Sequence, residues 1–471
     1  MLALRKTIFV FFAAVYLVVL TLVVLTVFGF ASRSGPDSLQ YAAISFTTNP
    51  SGAKIFLEES LYSKRTPVIL RDLKQGSYDF SLDLKGYTPR SYQINVSPGQ
   101  KLSMDRIVFL SKNPVAEKIS QKLFDELISI AGQDFFILAS GSDISDYYIY
   151  DWERKHLIPF SDNSSIPFDL QVLSLQVQNG SPVFLIEGIS GGLKKYILAS
   201  YDGISLDVKD ISNFFQSIPD HIAWDPHTGD NIFLLKEDLL SHIDIRANSL
   251  DEEFYNGVAG FGVFPGEVYI LQDVKNVIKT NFAKTTSKVV INDPILGGFL
   301  FGKKISRNDF FDITLLFKDN ILFLSNKGEL LVNKPPYRFS DQGALGFEVD
   351  LASQRLLFWQ EDVISIIDYR PRNLGFDLDP QQDRILTGAR NIRQAFWANS
   401  GSHVLFLKAG KVSLLELDRK GKKRMDPIIA VKPGSQIFYS DKNESLYCLD
   451  SKGVLLKMLI IGQGKKINYG Y

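Results

Sequence analysis

At 471 residues the chain is about three times the ~150 residues of a typical domain, which argues against one compact core. Its 52 Lys+Arg balance 52 Asp+Glu, removing any general electrostatic pull toward nucleic acid, and its 45% hydrophobic and 22% charged content excludes wholesale disorder. One cysteine, Cys448, excludes an internal disulfide framework and a zinc site of several thiolates, while 35 Phe and 19 Tyr favour a mainly β protein.

Ile8 to Ala31 is a run of 24 residues without a charge. At 1.5 Å rise per residue it reaches roughly 36 Å, enough to cross a ~30 Å hydrocarbon core. Arg5 and Lys6 precede it and only Arg33 follows closely, so the positive-inside rule keeps the N-terminus cytoplasmic and exports the rest. A cleaved signal peptide would carry an apolar region of about 7–15 residues and a small-x-small exit. This run is longer, and VFGFASRSG has no A-x-A pattern. The expectation is a signal anchor forming a transmembrane helix over 1–31, single-pass in the cell membrane. The bulk would then be periplasmic or at the cell surface. A polar tether, 32–42, follows.

Residues 43–111 alternate in short apolar runs: Ile44–Thr48, Lys54–Glu58, Pro67–Leu70, Ser77–Leu84, Arg90–Val96 and Lys101–Leu110. Breaks such as KQG, KGYTP and SPGQ separate them, which predicts a small antiparallel sandwich. Pro50-Ser51-Gly52-Ala53 stops one strand and permits reversal into the next. This string, with T-P-V-x-L and a later pair of Gly-Tyr motifs, resembles the PEGA domain family. Pro50, Gly52 and Ala53 match its signature; Gly76, Tyr78, Gly86 and Tyr87 match its second pattern. The family's usual D-G hairpin is absent, with EESLYSK in its place. The resemblance implies a small extracytoplasmic β module that binds or spaces at the envelope, with no catalytic residues.

Asn113-Pro114 reads as a helix start, and Ile119, Leu123, Leu127 and Ala131 recur at i+4, predicting a linker helix over 112–132. From 133 to 471 the pattern changes to a repeat. An apolar strand with an aromatic in second place recurs eight times, at Phe136, Phe184, Phe233, Tyr269, Phe323, Phe358, Phe406 and Tyr447. The mean step is about 44 residues, as a propeller blade requires. Such a unit buries its faces only by packing on its neighbours around an axis. The expectation is a seven- or eight-bladed β-propeller, the first and last copies being able to share strands. AWDPHTGDNIFLL and AFWANSGSHVLFL are similar to TolB-like propeller repeats, a relative of the WD type.

Chemical motifs are sparse. Gly188-Ile-Ser190-Gly-Gly192 fits G-x-S-x-G, but a strand follows where the nucleophile elbow needs a helix, so a hairpin turn is expected. His227 falls at a repeat turn. Asp377, Asp379 and Asp383 lack the glycine of a calcium loop. Trp224 and Trp397 read as blade packing. The basic run Arg419, Lys420, Lys422, Lys423 and Arg424 reads as a hairpin tip that could contact anionic lipid or an acidic wall polymer.

These readings predict an envelope binding or scaffold protein whose PEGA module presents a propeller to a protein or glycan partner. They include no nucleic acid, no enzymatic activity and no catalytic, cofactor-binding or metal-ligating residue. An extracytoplasmic hydrolase or lyase is the alternative, needing carboxylates or histidines that converge on the axis from different blades. A purely structural or sensor element is a third reading.

Overall fold

The structure is a computed structural model. It describes residues 41–112, 115–215, 217–272, 276–292, 309–317, 320–334, 337–370, 381–417 and 424–460, together with 15–16 and 18–20. The chain forms two compact units, one within residues 1–114 and the other over Val115–Asp418 and Lys423–Ile460.

In the first unit the alternation of Ala42–Asn49 turns Ala42, Ile44 and Phe46 inward. This strand pairs antiparallel with Val68–Leu73 and parallel with Lys101–Val108, so the expected all-antiparallel sandwich is parallel at one pair. The second sheet has the order Ser60–Arg65, Lys54–Leu57, Gly76–Asp83, Arg90–Val96. Between them lies a core that includes Ile55, Leu70, Phe80, Leu82 and Phe109, with the Phe46 and Phe80 rings 5.0 Å apart. EESLYSK still closes a tight hairpin. Leu57 pairs with Ser60, and Glu58 and Glu59 take φ of 47° and 68°, the double positive φ of a type I′ turn.

The second unit is a β-propeller with eight four-stranded antiparallel blades among the described residues. Their first strands are Glu126–Ile128, Gln171–Val177, His221–Trp224, Val258–Phe264, Phe311–Leu315, Ala344–Asp350, Ile392–Ala398 and Phe438–Ser440, which open blades 1 to 8. Each of the eight periodic aromatics lies on the second strand of its blade and is buried. Blades 4 and 5 also join edge to edge, Gly260 pairing with Phe311 and Phe261 with Asp312 in parallel. Buried clusters draw on successive blades: Phe135 and Ile137 of blade 1 meet Phe184 and Ile186 of blade 2.

Among the described residues of 112–132 the expected linker helix is not found, and this corrects the sequence reading. Ala116–Leu123 is instead the fourth strand of blade 8, pairing Ala116 with Met458 and Leu123 with Val454. Glu126–Ile128 opens blade 1. An edge strand exposes one side, so its polar residues tolerate either periodicity. Packing of Phe124 and Leu127 against Tyr447, Leu449 and Leu455 then overrides local helix preference. The propeller therefore begins at 116 and closes by joining its two ends. The expected transmembrane helix is likewise not found in the described fold: among the described residues no helix is long and apolar enough to cross a membrane. Most of 1–31 lies outside the described residues.

A recurring backbone contact joins neighbouring blades. The turn between the second and third strands of one blade accepts an N–H from the chain entering the next. The pairs are Val172 to Ser142, Val258 to Asp238, Ala344 to Gly328, Ile392 to Glu361, Val431 to Gly410 and Phe124 to Gly453, at 2.8–3.0 Å. Gly328 and Gly453 have φ of +78° and +88°, and a Cβ on either would lie 2.4 or 2.3 Å from the backbone of the entering strand. Only glycine meets both demands.

Candidate binding cavity

Residues of the first strands, or of the chain directly flanking them, from all eight blades wall a cavity of about 770 Å³. This lies within the ~300–1,000 Å³ of ordinary ligand sites. His221 of blade 3 reaches past blade 4, its Nε2 lying 2.8 Å from Asp312 Oδ1 of blade 5. The close approach of blades 4 and 5 depends on Gly260 and Gly262, where a Cβ would stand 2.3 and 2.1 Å from the Phe311 and Ile313 carbonyl oxygens. The His221 ring stacks on Phe310 at 4.6 Å and meets Phe261 edge-on at 5.1 Å.

On the blade 6 wall Glu348 Oε2 accepts the Trp397 backbone N–H at 2.7 Å. The cavity reaches Glu348, leaving it half-buried by surface, yet protein surrounds it closely. Desolvation pushes its carboxyl pKa up to about 8; the Trp397 amide opposes the rise, while the Asp441 and Asp350 charges add to it. Gln394 and Gln436 knit the ring. Gln394 Oε1 accepts the Ile437 N–H at 2.8 Å, and Gln436 Oε1 accepts the Ser129 N–H at 3.0 Å and Gln394 Nε2 at 3.3 Å. Trp224 and Trp397 are buried; the Trp224 indole donates to Ser181 Oγ at 3.3 Å, and the Arg355 guanidinium covers the Trp397 ring at 4.4 Å.

Apart from Trp224, which lines the cavity, the residues singled out by sequence lie elsewhere. Pro50, Gly52 and Ala53 form a corner of the first unit, tied by Thr66, the threonine of the T-P-V-x-L string. Thr66 Oγ1 lies 2.6 Å from Thr48 Oγ1 and accepts the Ala53 N–H at 3.0 Å, while the Thr66 carbonyl accepts the Gly52 N–H at 2.8 Å. Gly76 opens its strand, and the Tyr78 hydroxyl donates to the Lys74 carbonyl at 3.0 Å. Gly86 has φ of +88°, and Tyr87 meets Phe109 edge-on at 6.2 Å. Of the basic run, Arg419, Lys420, Lys422 and Lys423 lie outside the described residues. Arg424 opens strand Arg424–Ala430 with its Nε 3.2 Å from Asp426 Oδ1.

Ser190 ends a hairpin strand, its hydroxyl donating to Asp169 at 2.6 Å. The His227 N–H donates to Asp225 Oδ1 at 3.1 Å within its turn. Asp377 and Asp379 lie outside the described residues, and Asp383 sits in strand Gln381–Leu386. Sequence reading missed His221, Asp312 and Glu348 as cavity residues, because no spacing motif links them.

The family model of the PEGA domain matches residues 42–107. No curated protein matches the chain. Among solved structures, the chain is similar to the β-propeller domain of Myceliophteria thermophila Cps50 (Swd1), with 11% identity and a TM-score of 0.37, covering 74% of this chain and 100% of that one. YCF48 from Cyanidioschyzon merolae shows 12% identity and a TM-score of 0.38 over 73% of this chain and 98% of its own. Kluyveromyces lactis Hsv2 shows 8% identity and a TM-score of 0.40 over 65% and 98%. The propeller assignment rests on the sheet topology described above.

Proposed function

We propose that this protein is a membrane-held, extracytoplasmic binding or scaffold protein of the cell envelope, whose propeller cavity receives a protein or glycan partner. The observation that carries the reading is the cavity of about 770 Å³ to which every blade contributes, lined by aromatic and amide side chains. The apolar run Ile8–Ala31, with Arg5 and Lys6 before it, supports attachment to a membrane and export of the remainder. The basic run from Arg419 to Arg424 supports a further contact with anionic headgroups or acidic polymer.

Leu345 lines the cavity and is 55% exposed, so Leu345→Arg should obstruct the site while leaving the fold intact. In-cell crosslinking with the full chain should capture a partner that Leu345→Arg loses and that exposed Leu459→Arg keeps. Equal capture by all three refutes the cavity as the binding site. A C-terminal reporter active only outside the cytoplasm should be active; an inactive one refutes the export.

A further inference from the structure

Among the described residues the cavity wall carries no lysine and no arginine. Its charged or chargeable side chains are Asp312, Glu348 and His221. An anionic ligand would meet the Asp312 carboxylate with no lysine or arginine among the described lining residues to offset it, and like-charge juxtaposition disfavours it. A cationic ligand fares little better: the Asp312 carboxylate is already held by His221 at 2.8 Å, and Glu348 accepts the Trp397 amide. The charge pattern therefore selects for an uncharged occupant.

Hydrogen-bonding capacity narrows the class. Gln176, Asn179 and Thr314 have no side-chain partner among the described residues, and Gln178 engages only its carbonyl oxygen, with the Trp224 N–H at 3.4 Å. These amides and this hydroxyl offer donors and acceptors together, the complement of hydroxyl groups, each of which also donates and accepts. Blades 6 and 7 contribute the half-buried aromatics Phe347, Trp359 and Phe396 to the same cavity. A cavity with planar amides on its blade 2 wall and aromatic faces on blades 6 and 7 suits a ligand with hydroxyls on its edges and C–H groups on its faces. From this combination we propose that the cavity binds a neutral glycan segment. The proposal rests on reading the cavity as the binding site, and it excludes acidic polymers from that position.

The test titrates the full chain by calorimetry and ligand-observed NMR. The panel holds neutral hexasaccharides of glucose, mannose, xylose and N-acetylglucosamine, galacturonic acid and glucosamine hexamers, and an uncharged Ser/Gly/Asn decapeptide. At least one neutral saccharide should bind, with the charged hexamers about tenfold or more weaker. Gln176→Leu should weaken it about tenfold at unchanged melting temperature, and Gln176→Lys should shift preference toward the galacturonic acid hexamer. Failure of every neutral saccharide, preference for a charged one, or indifference to Gln176→Leu overturns the inference. Binding of the decapeptide alone, abolished by Leu345→Arg, overturns the glycan while the binding cavity stands. Crosslinking indifferent to Leu345→Arg removes the underlying reading itself.

Discussion

The contact between Gly453 and Phe124 closes the propeller ring, which makes Gly453→Ala its most informative perturbation. Alanine at φ of +88° costs about 1–2 kcal/mol in the left-handed region. Its Cβ would sit 2.3 Å from the Phe124 carbonyl oxygen, so the entering strand must shift, at about 1–3 kcal/mol by analogy with overpacked cores. The Phe124 N–H to Gly453 bond, 2.8 Å long, is strained or lost, adding about 0.5–1.5 kcal/mol. The sum is about 2.5–6.5 kcal/mol. Gly266 is the matched control: φ is +76°, but nothing lies within 4 Å of its Cβ position, so Gly266→Ala should cost only the backbone term, about 1–2 kcal/mol. Urea unfolding followed by tryptophan fluorescence measures both, with buried Trp152 reporting near the closure. Equal midpoints for the two variants would refute the inter-blade contact as a source of stability.

Three further outcomes follow from the same geometry. Ile119→Asp sets an unpaired charge against the cluster holding Leu449 and Leu455, costing about 1–3 kcal/mol, and amides of Val454–Leu459 should exchange about tenfold faster; unchanged exchange refutes the strand closure. Thr66→Val leaves the buried Ala53 N–H without its acceptor and should cost about 1–3 kcal/mol, whereas Thr66→Ser should largely retain stability. Glu348 has a folded pKa raised from 4.5 to about 8, so between those values the folded state holds a proton that the unfolded state has released. Its contribution to stability then falls by about 1.4 kcal/mol per pH unit as pH rises through that window. Glu348→Gln keeps an acceptor for the Trp397 amide and should flatten the profile between pH 5 and 8; a slope unaltered by the substitution refutes the assignment.

Propeller architecture was legible because the physical demand repeats. Every blade buries its second strand between neighbouring sheets, so Phe136 and each of its seven counterparts mark the same place. Closure was illegible for the opposite reason. Ala116–Leu123 lies more than 300 residues from Val454–Leu459, and only that distant partner makes it a strand. Its own residues read equally well at helical spacing, with Ile119 and Leu123 four apart, yet Leu123 is 55% exposed and contributes little to the core. The Glu58-Glu59 turn shows the same principle on a small scale: strand pairing holds two glutamates at positive φ where local preference asks for Asn-Gly.

The cavity was the least legible part, since a ring gathers residues that chain spacing keeps apart. His221 and Asp312 are separated by 91 positions and two blade boundaries, yet their side chains meet at 2.8 Å. No motif spacing anticipates such a pair. Glu348 is one of 52 acidic residues, and only its depth distinguishes it. Composition can nevertheless be read once the axis is known. Among the described residues, none of the protein's Lys or Arg stands on the cavity wall, where amides and aromatics stand instead. On the reading proposed above, that distribution is what an uncharged occupant of the cavity requires.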